Sequence, residues 1–172
     1  MSITTKKGDK GLTQLCWGKK IRKDNICVDA CGTLDELCSF LGLAKSLIKN
    51  RNTKKLLEGI QKDLFVIGAE IATQAKFLNR LEDKIDNNYV KRLEDNIRYL
   101  ERELKLKECC FLLPGENFIS GTFDVARTIC RRSERRIAAL KNPQILIYLN
   151  RLSDLLYLLA RAHEKHHHKL KY

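Results

Sequence analysis

The residues best suited to chemistry are five arginines, Arg127, Arg131, Arg132, Arg135 and Arg136, with Asp124 and Glu134 set among them. No Gly or Pro interrupts 122–142, which predicts a helix. At about 100° per residue, Asp124, Arg127, Arg131 and Glu134 fall on one narrow ridge, while Val125, Ala126, Ile129, Cys130, Ile137 and Leu140 take another side. One face packs and the other presents two arginines and two carboxylates. The planar fork of Arg131 suits bidentate capture of a phosphate, and the carboxylates suit holding that fork in place. The same spacing equally describes a solvated helix with ion pairs one turn apart, worth a few tenths of a kcal/mol each.

A second group lies near the N-terminus. Thr5, Lys6, Lys7, Gly8, Asp9, Gly11 and Thr13 have the makings of a loop that cradles phosphate. The two glycines permit tight turns, backbone N–H groups can converge, and Lys and Thr add charge and donors. The Walker A pattern G-x-x-x-x-G-K-[ST] is absent, and an ordinary Gly-rich arm has the same composition. Lys19, Lys20, Arg22 and Lys23 follow as a basic loop. The cysteines, Cys16, Cys27, Cys31, Cys38, Cys109, Cys110 and Cys130, are odd in number and contain no C-x-x-C pair. The spacing of Cys27, Cys31 and Cys38 suggests a metal site, but no His cluster accompanies them. Reduced thiols in a reducing compartment, several buried as small hydrophobes, are the better account. A di-iron bundle needs Glu-x-x-His on two helices, which the chain lacks.

The elements that must position these groups are helices. With two prolines and nine glycines in 172 residues, long uninterrupted helices fit, and the length suits one domain. Gly32-Thr33 opens the first, with Thr33 and Glu36 in a capping-box pattern and Asp35 in the first turn. Leu34, Leu37, Leu41, Ala44 and Ile48 form its apolar stripe. A second helix is expected over 53–76 and a third from about Val90 to Lys107. Between Cys109 and Gly115 comes a short apolar loop closed by Pro114-Gly115. Phe111 there reads as a plug for the end of a bundle. A fourth helix runs from about Asn117 to Lys141. A fifth starts at Asn142-Pro143 and runs to about His166, with Asn150, Asp154, Tyr157 and Arg161 on one face. No run alternates as a strand and no repeat is evident.

The net charge of +12 favours an anionic ligand, but 21 acidic residues are interleaved and no compact stripe for reading DNA stands out. No apolar run is long enough to span a membrane and no signal-peptide core is seen, so a cytoplasmic protein is expected, without nucleic-acid or membrane partners.

Taken together, the separated segments resemble the ATP:cob(I)alamin adenosyltransferases of the propanediol-utilisation type. Thr5, Lys6, Gly8, Asp9, Gly11 and Thr13 follow that family's T-[RK]-x-G-D-x-G-x-[TS], and Lys23-Asp24 its downstream lysine. Further matches are Gly32-Thr33 with Asp35-Glu36-Leu37, Phe111 with Pro114-Gly115, the block from Ala126 to Arg136, and Tyr148 to Asp154 with Asn150 and Arg151. Order and spacing agree over nearly the whole chain. Glu116 stands where the family often has a second glycine, Leu12 where a small polar residue is frequent, and Cys38 where Asn or Ser is common.

The resemblance implies an all-α, ferritin-like five-helix bundle that assembles as a homotrimer. One domain would comprise an ATP-binding segment over 1–29, the bundle over 30–167 and a basic tail over 168–172. It implies transfer of the 5′-deoxyadenosyl group of ATP, with Mg2+, to the Co(I) centre of reduced cobalamin, giving adenosylcobalamin and triphosphate. Thr5, Lys6, Lys7, Gly8, Asp9, Thr13, Gln14 and Lys23 would hold the polyphosphate. Arg131, Arg132, Ser133, Glu134, Arg135 and Asn150 would complete the site from a neighbouring subunit. Asp35 and Arg127 would form an ion pair between subunits, and Phe111 would press on the corrin and keep its lower ligand off cobalt. A reductase and a cobalamin-dependent acceptor enzyme are the partners implied. The competing reading is a basic helical module that binds nucleotide, polyphosphate or nucleic acid without chemistry.

Overall fold

The structure is a computed structural model that describes residues 3–4, 6–105 and 112–165. Five α-helices dominate the described residues: α1 Ile26–Leu47, α2 Arg51–Ile71, α3 Asn87–Leu104, α4 Phe118–Ala138 and α5 Pro143–Ala162. Helix α1 packs on α2 and α4, α4 on α5, and α5 on α3. The expected stripe of α1, from Leu34 to Ile48, is buried, as are Leu57, Ile60, Leu64 and Ile67 of α2. Leu149, Leu152, Leu155, Leu156 and Leu159 bring α5 into the centre of the same core. A buried polar tie also crosses the bundle. Asp63 of α2 accepts from the Tyr148 hydroxyl of α5 at 2.6 Å and from Arg92 of α3.

The helix starts show what local sequence can specify. Asn117 caps α4, its Oδ1 accepting from the backbone N–H groups of Ile119 and Ser120, and Ser120 completes a capping box. Asn142 caps α5 ahead of Pro143, as expected. The expected start of α1 at Gly32-Thr33 is wrong. The cap is Asn25, whose Oδ1 accepts from the Cys27 N–H at 3.0 Å, and Thr33 lies inside the helix donating to the Asp29 carbonyl at 2.9 Å. Helix α2 ends at Ile71, short of 76, and a 3-10 turn over Ala75–Arg80 follows.

Strands are also present, contrary to expectation. β1 Leu12–Gln14 and β2 Lys20–Arg22 form an antiparallel hairpin with Thr13 opposite Ile21. The Cys16 N–H donates to the Ala72 carbonyl at 2.9 Å, which docks this hairpin on the end of α2. Among the described residues no helix is long and apolar enough to cross a membrane.

Candidate functional site

Helix α4 positions the arginines, and its neighbours divide their roles. Arg132 pairs with Glu36 and Arg136 with Asp29, at 2.8 Å for the latter, and Arg136 also donates to the Thr33 hydroxyl. These contacts fasten α4 to the first half of α1. Arg135 donates to the Arg131 carbonyl at 3.2 Å. Arg131 differs: it is exposed, and its side chain makes no hydrogen bond or ion pair among the described residues. Beside it, Glu134 accepts from Asn150 Nδ2 at 3.4 Å, and Asn150 Oδ1 accepts from Arg151 Nη1 at 2.7 Å. Arg151 is in turn held 3.1 Å from Glu94 of α3. Desolvation raises the Asp154 carboxyl above its ordinary range, with Arg151 and Arg131 opposing the shift. The α4/α5 surface thus presents one uncommitted guanidinium beside a fixed Asn150.

Two expectations for this block fail. Ser133 is fully buried and donates to the Ile129 carbonyl at 3.1 Å, so its side chain faces the core and not a ligand. The ridge is also not evenly solvated. Asp124 is buried and pairs with Arg161 of α5, which is itself enclosed. Spacing along one helix fixes angles only, and α5 supplies the wall that removes water from the Asp124 end.

The N-terminal loop has the geometry of a basic cradle. Lys6 has φ 54°, Gly11 has φ 72°, and the Gly11 N–H donates to the Gly8 carbonyl at 3.1 Å. The Lys23 N–H returns to the Gly11 carbonyl at 2.9 Å, tying the end of the hairpin to the loop. A methyl group at Gly8 would stand 3.0 Å from Lys23 Nζ, so the absence of a side chain there lets the ammonium lie against the loop. Lys7 and Asp9 are exposed, Thr13 is half-buried on β1, and Gln14 Nε2 donates to the Gly18 carbonyl at 3.3 Å. Thr5 and Phe111 lie outside the described residues.

Within one chain these two groups do not meet. No hydrogen bond or ion pair among the described residues joins 6–23 to Arg131 or Asn150. Asp35 is likewise apart from Arg127. It is exposed at the rim of a mainly apolar pocket of about 420 Å³ between α1, α2 and Cys16, with the exposed Phe65 opposite. Arg127 turns to Asp124, 3.6 Å away.

Cys16, Cys31 and Cys38 line that pocket, and the five described cysteines are unpaired. Burial, then the neighbouring Cys27 and Cys16, pushes the Cys31 thiol up to about 11, which disfavours its thiolate. No cluster of three His, Cys, Asp or Glu side chains able to hold a metal exists among the described residues.

A second apolar groove, about 540 Å³, lies beside the Pro114-Gly115 turn and is lined by Phe40, Leu43, Gly115, Phe118, Gly121 and Val125. Gly115 has φ 86°, a backbone conformation that favours glycine, and a Cβ at Gly121 would stand in ordinary contact 3.5 Å from the Gly115 Cα, so the turn lies close against α4. Glu116 fits this turn, its Oε2 accepting from Asn117 Nδ2 at 2.7 Å. The same amide donates to the His163 carbonyl at 2.6 Å, fastening the turn to the end of α5.

Known proteins share this arrangement of elements. The profile of the family described as Cobalamin adenosyltransferase matches residues 3–163. A corrinoid adenosyltransferase of Citrobacter freundii is 41% identical over 168 residues, covering 94% of this chain and 94% of that protein. The corrinoid adenosyltransferase PduO of Salmonella typhimurium is 38% identical over 98% of this chain, which spans 52% of the relative's length. Among solved structures, a variant PduO-type ATP:corrinoid adenosyltransferase from Lactobacillus reuteri, complexed with cobalamin and ATP, superposes with a TM-score of 0.84. It has 36% sequence identity and covers 93% of this chain and 92% of its own. The chain therefore belongs to the cobalamin adenosyltransferase family.

Proposed function

We propose that this protein transfers the 5′-deoxyadenosyl group of ATP to reduced cobalamin, giving adenosylcobalamin and triphosphate, at sites shared between subunits of a homotrimer. The observation that carries this reading is the division of one chain into two half-sites: a basic cradle at 6–23, and on α4 an Arg131 left uncommitted while Arg132 and Arg136 are spent on α1. Each half lacks what the other has, and a neighbouring copy supplies it. The ligands follow from the relatives, among them an adenosyltransferase held with cobalamin and ATP.

The reduced corrinoid supplies the nucleophile, and the 5′-carbon of ATP accepts it as triphosphate leaves. The chain's contribution is electrostatic. Negative charge grows on the leaving triphosphate, so Lys6, Lys7 and Lys23 from one subunit, with Arg131 from the next, stabilise the transition state more than the ground state. Backbone N–H groups around Gly8 add donors, Thr5, Thr13 and Gln14 add polar contacts, and Asn150 with Glu134 flanks Arg131. Mg2+ would accompany ATP as the counter-ion of its phosphates and would supply neutralising charge as triphosphate leaves. Asp35 and Arg127 pair across the interface.

The groove beside Pro114-Gly115 is apolar enough to accept the face of a corrin, and the family resemblance gives Phe111, three residues before Pro114, the role of pressing on it. Phe111→Ala is expected to lose activity mainly with cob(II)alamin reduced in situ, because the wedge that displaces the lower ligand is gone. Pre-reduced cob(I)alamin should be far less affected. Equal loss with both would make Phe111 a packing residue. The protein would act in the cytoplasm, receiving electrons from a reductase and passing product to a cobalamin-dependent enzyme.

The test is anaerobic: purified protein, Mg-ATP and chemically reduced cob(I)alamin, followed by absorbance as the Co–C bond forms. Saturable, ATP-dependent conversion with triphosphate released supports the assignment. Nucleotide binding without conversion by folded trimer would replace it with a binding module.

A further inference from the structure

Asp124, Arg161 and Glu164 form a buried charge cluster to which the reaction assigns no role. The Arg161 side chain is 1% exposed and that of Asp124 7%. Arg161 Nη2 lies 2.6 Å from Asp124 Oδ2 and 2.8 Å from Glu164 Oε1. Arg161 covers only Oδ2 of Asp124, and a carboxylate this far from water is costly unless a further cation faces Oδ1. Arg127 is that cation. Its Nε is buried without a hydrogen-bond partner and stands 3.6 Å from Asp124 Oδ1, too far for a hydrogen bond but close enough for strong attraction. The rest of the guanidinium, on a side chain 29% exposed, makes no hydrogen bond among the described residues.

We propose that Asp124, itself fixed by Arg161, is a positioning residue that holds the inner edge of Arg127 and so presents its outer edge, already ordered, to Asp35 of the partner subunit. This rests on reading Arg127 as an interface residue. A guanidinium serves both sides because its rigid planar fork has two edges, whereas an ammonium is a compact point charge on a flexible stem with no fixed edge to present. The end of α5 is thereby linked to the subunit interface through one carboxylate.

Two variants test this by sedimentation velocity over a dilution series, alongside the KM for ATP. Asp124→Asn keeps the shape and removes the charge facing Arg127. Arg127→Lys keeps the charge at a partly exposed position and removes the second edge. Each is expected to weaken assembly by about tenfold or more and to raise the KM for ATP. In the Arg127→Lys background, Asp124→Asn should weaken assembly no further. Full assembly of Arg127→Lys would overturn the proposal even if Asp124→Asn fails to fold. So would an equal loss from Asp124→Asn in both backgrounds, which marks a purely structural carboxylate. A wild-type chain that is monomeric throughout would remove the interface reading itself, an outcome distinct from normal assembly of the variants.

Discussion

Arg131→Ala is expected to reduce turnover by about 10²- to 10³-fold while leaving the fold and the assembly intact. The size follows from the role proposed for Arg131, a charge aimed at the leaving triphosphate. The selectivity follows from the structure. Arg132 and Arg136 hold α4 to α1 through Glu36 and Asp29, so their loss would disturb the scaffold as well. Arg131 is exposed and its side chain bonds to nothing else among the described residues, so its removal leaves no buried partner behind. Initial rates of adenosylcobalamin formation, with circular dichroism and sedimentation on the same samples, check both halves. A variant of wild-type activity would remove Arg131 from the mechanism. A variant that unfolds would show that the arginine is structural.

The legible part of this protein was that governed by short range. The stripe from Leu34 to Ile48 and the caps at Asn117 and Asn142-Pro143 follow from periodicity and from donors left free at helix ends. Thr33 misled because a cap pattern repeats wherever Thr precedes Glu by three. The helix had already begun at Asn25, and Thr33 instead serves as an acceptor for Arg136. The hairpin escaped notice because its strands are three residues each and no stretch of alternation is long enough to register. In the candidate site, motif resemblance singles out the N-terminal loop and the arginines of α4 but cannot sort them. Whether an arginine is spent on Glu36, enclosed with Asp124 or left free depends on contacts between helices far apart in sequence. Ser133 shows the same limit: next to Arg132 in sequence, it points the other way because one residue turns the helix by about 100°.

Removal of the Asp63 carboxylate is expected to cost about 3 kcal/mol of stability. Asp63 is 4% exposed in the centre of the bundle. It joins three helices, accepting from Tyr148 of α5 at 2.6 Å and from Arg92 of α3. Desolvation and the neighbouring carboxylate hold the Tyr148 hydroxyl well above its ordinary pKa, so it remains a donor and requires an acceptor. Asp63→Ala would leave that hydroxyl fully buried and unpaired, whereas Arg92, half exposed, can turn to water. A domain of this size holds only about 5–15 kcal/mol in total, so the melting temperature should fall by roughly 6–12 °C. Tyr148→Phe alone should cost about 1 kcal/mol, the worth of one hydrogen bond. The double variant Asp63→Ala/Tyr148→Phe should be more stable than the sum of the singles, because no donor is left stranded. Urea unfolding of the four proteins measures this coupling. Strict additivity would mean that the hydroxyl finds another acceptor when Asp63 is absent, and that the tie between α2 and α5 is held by packing alone.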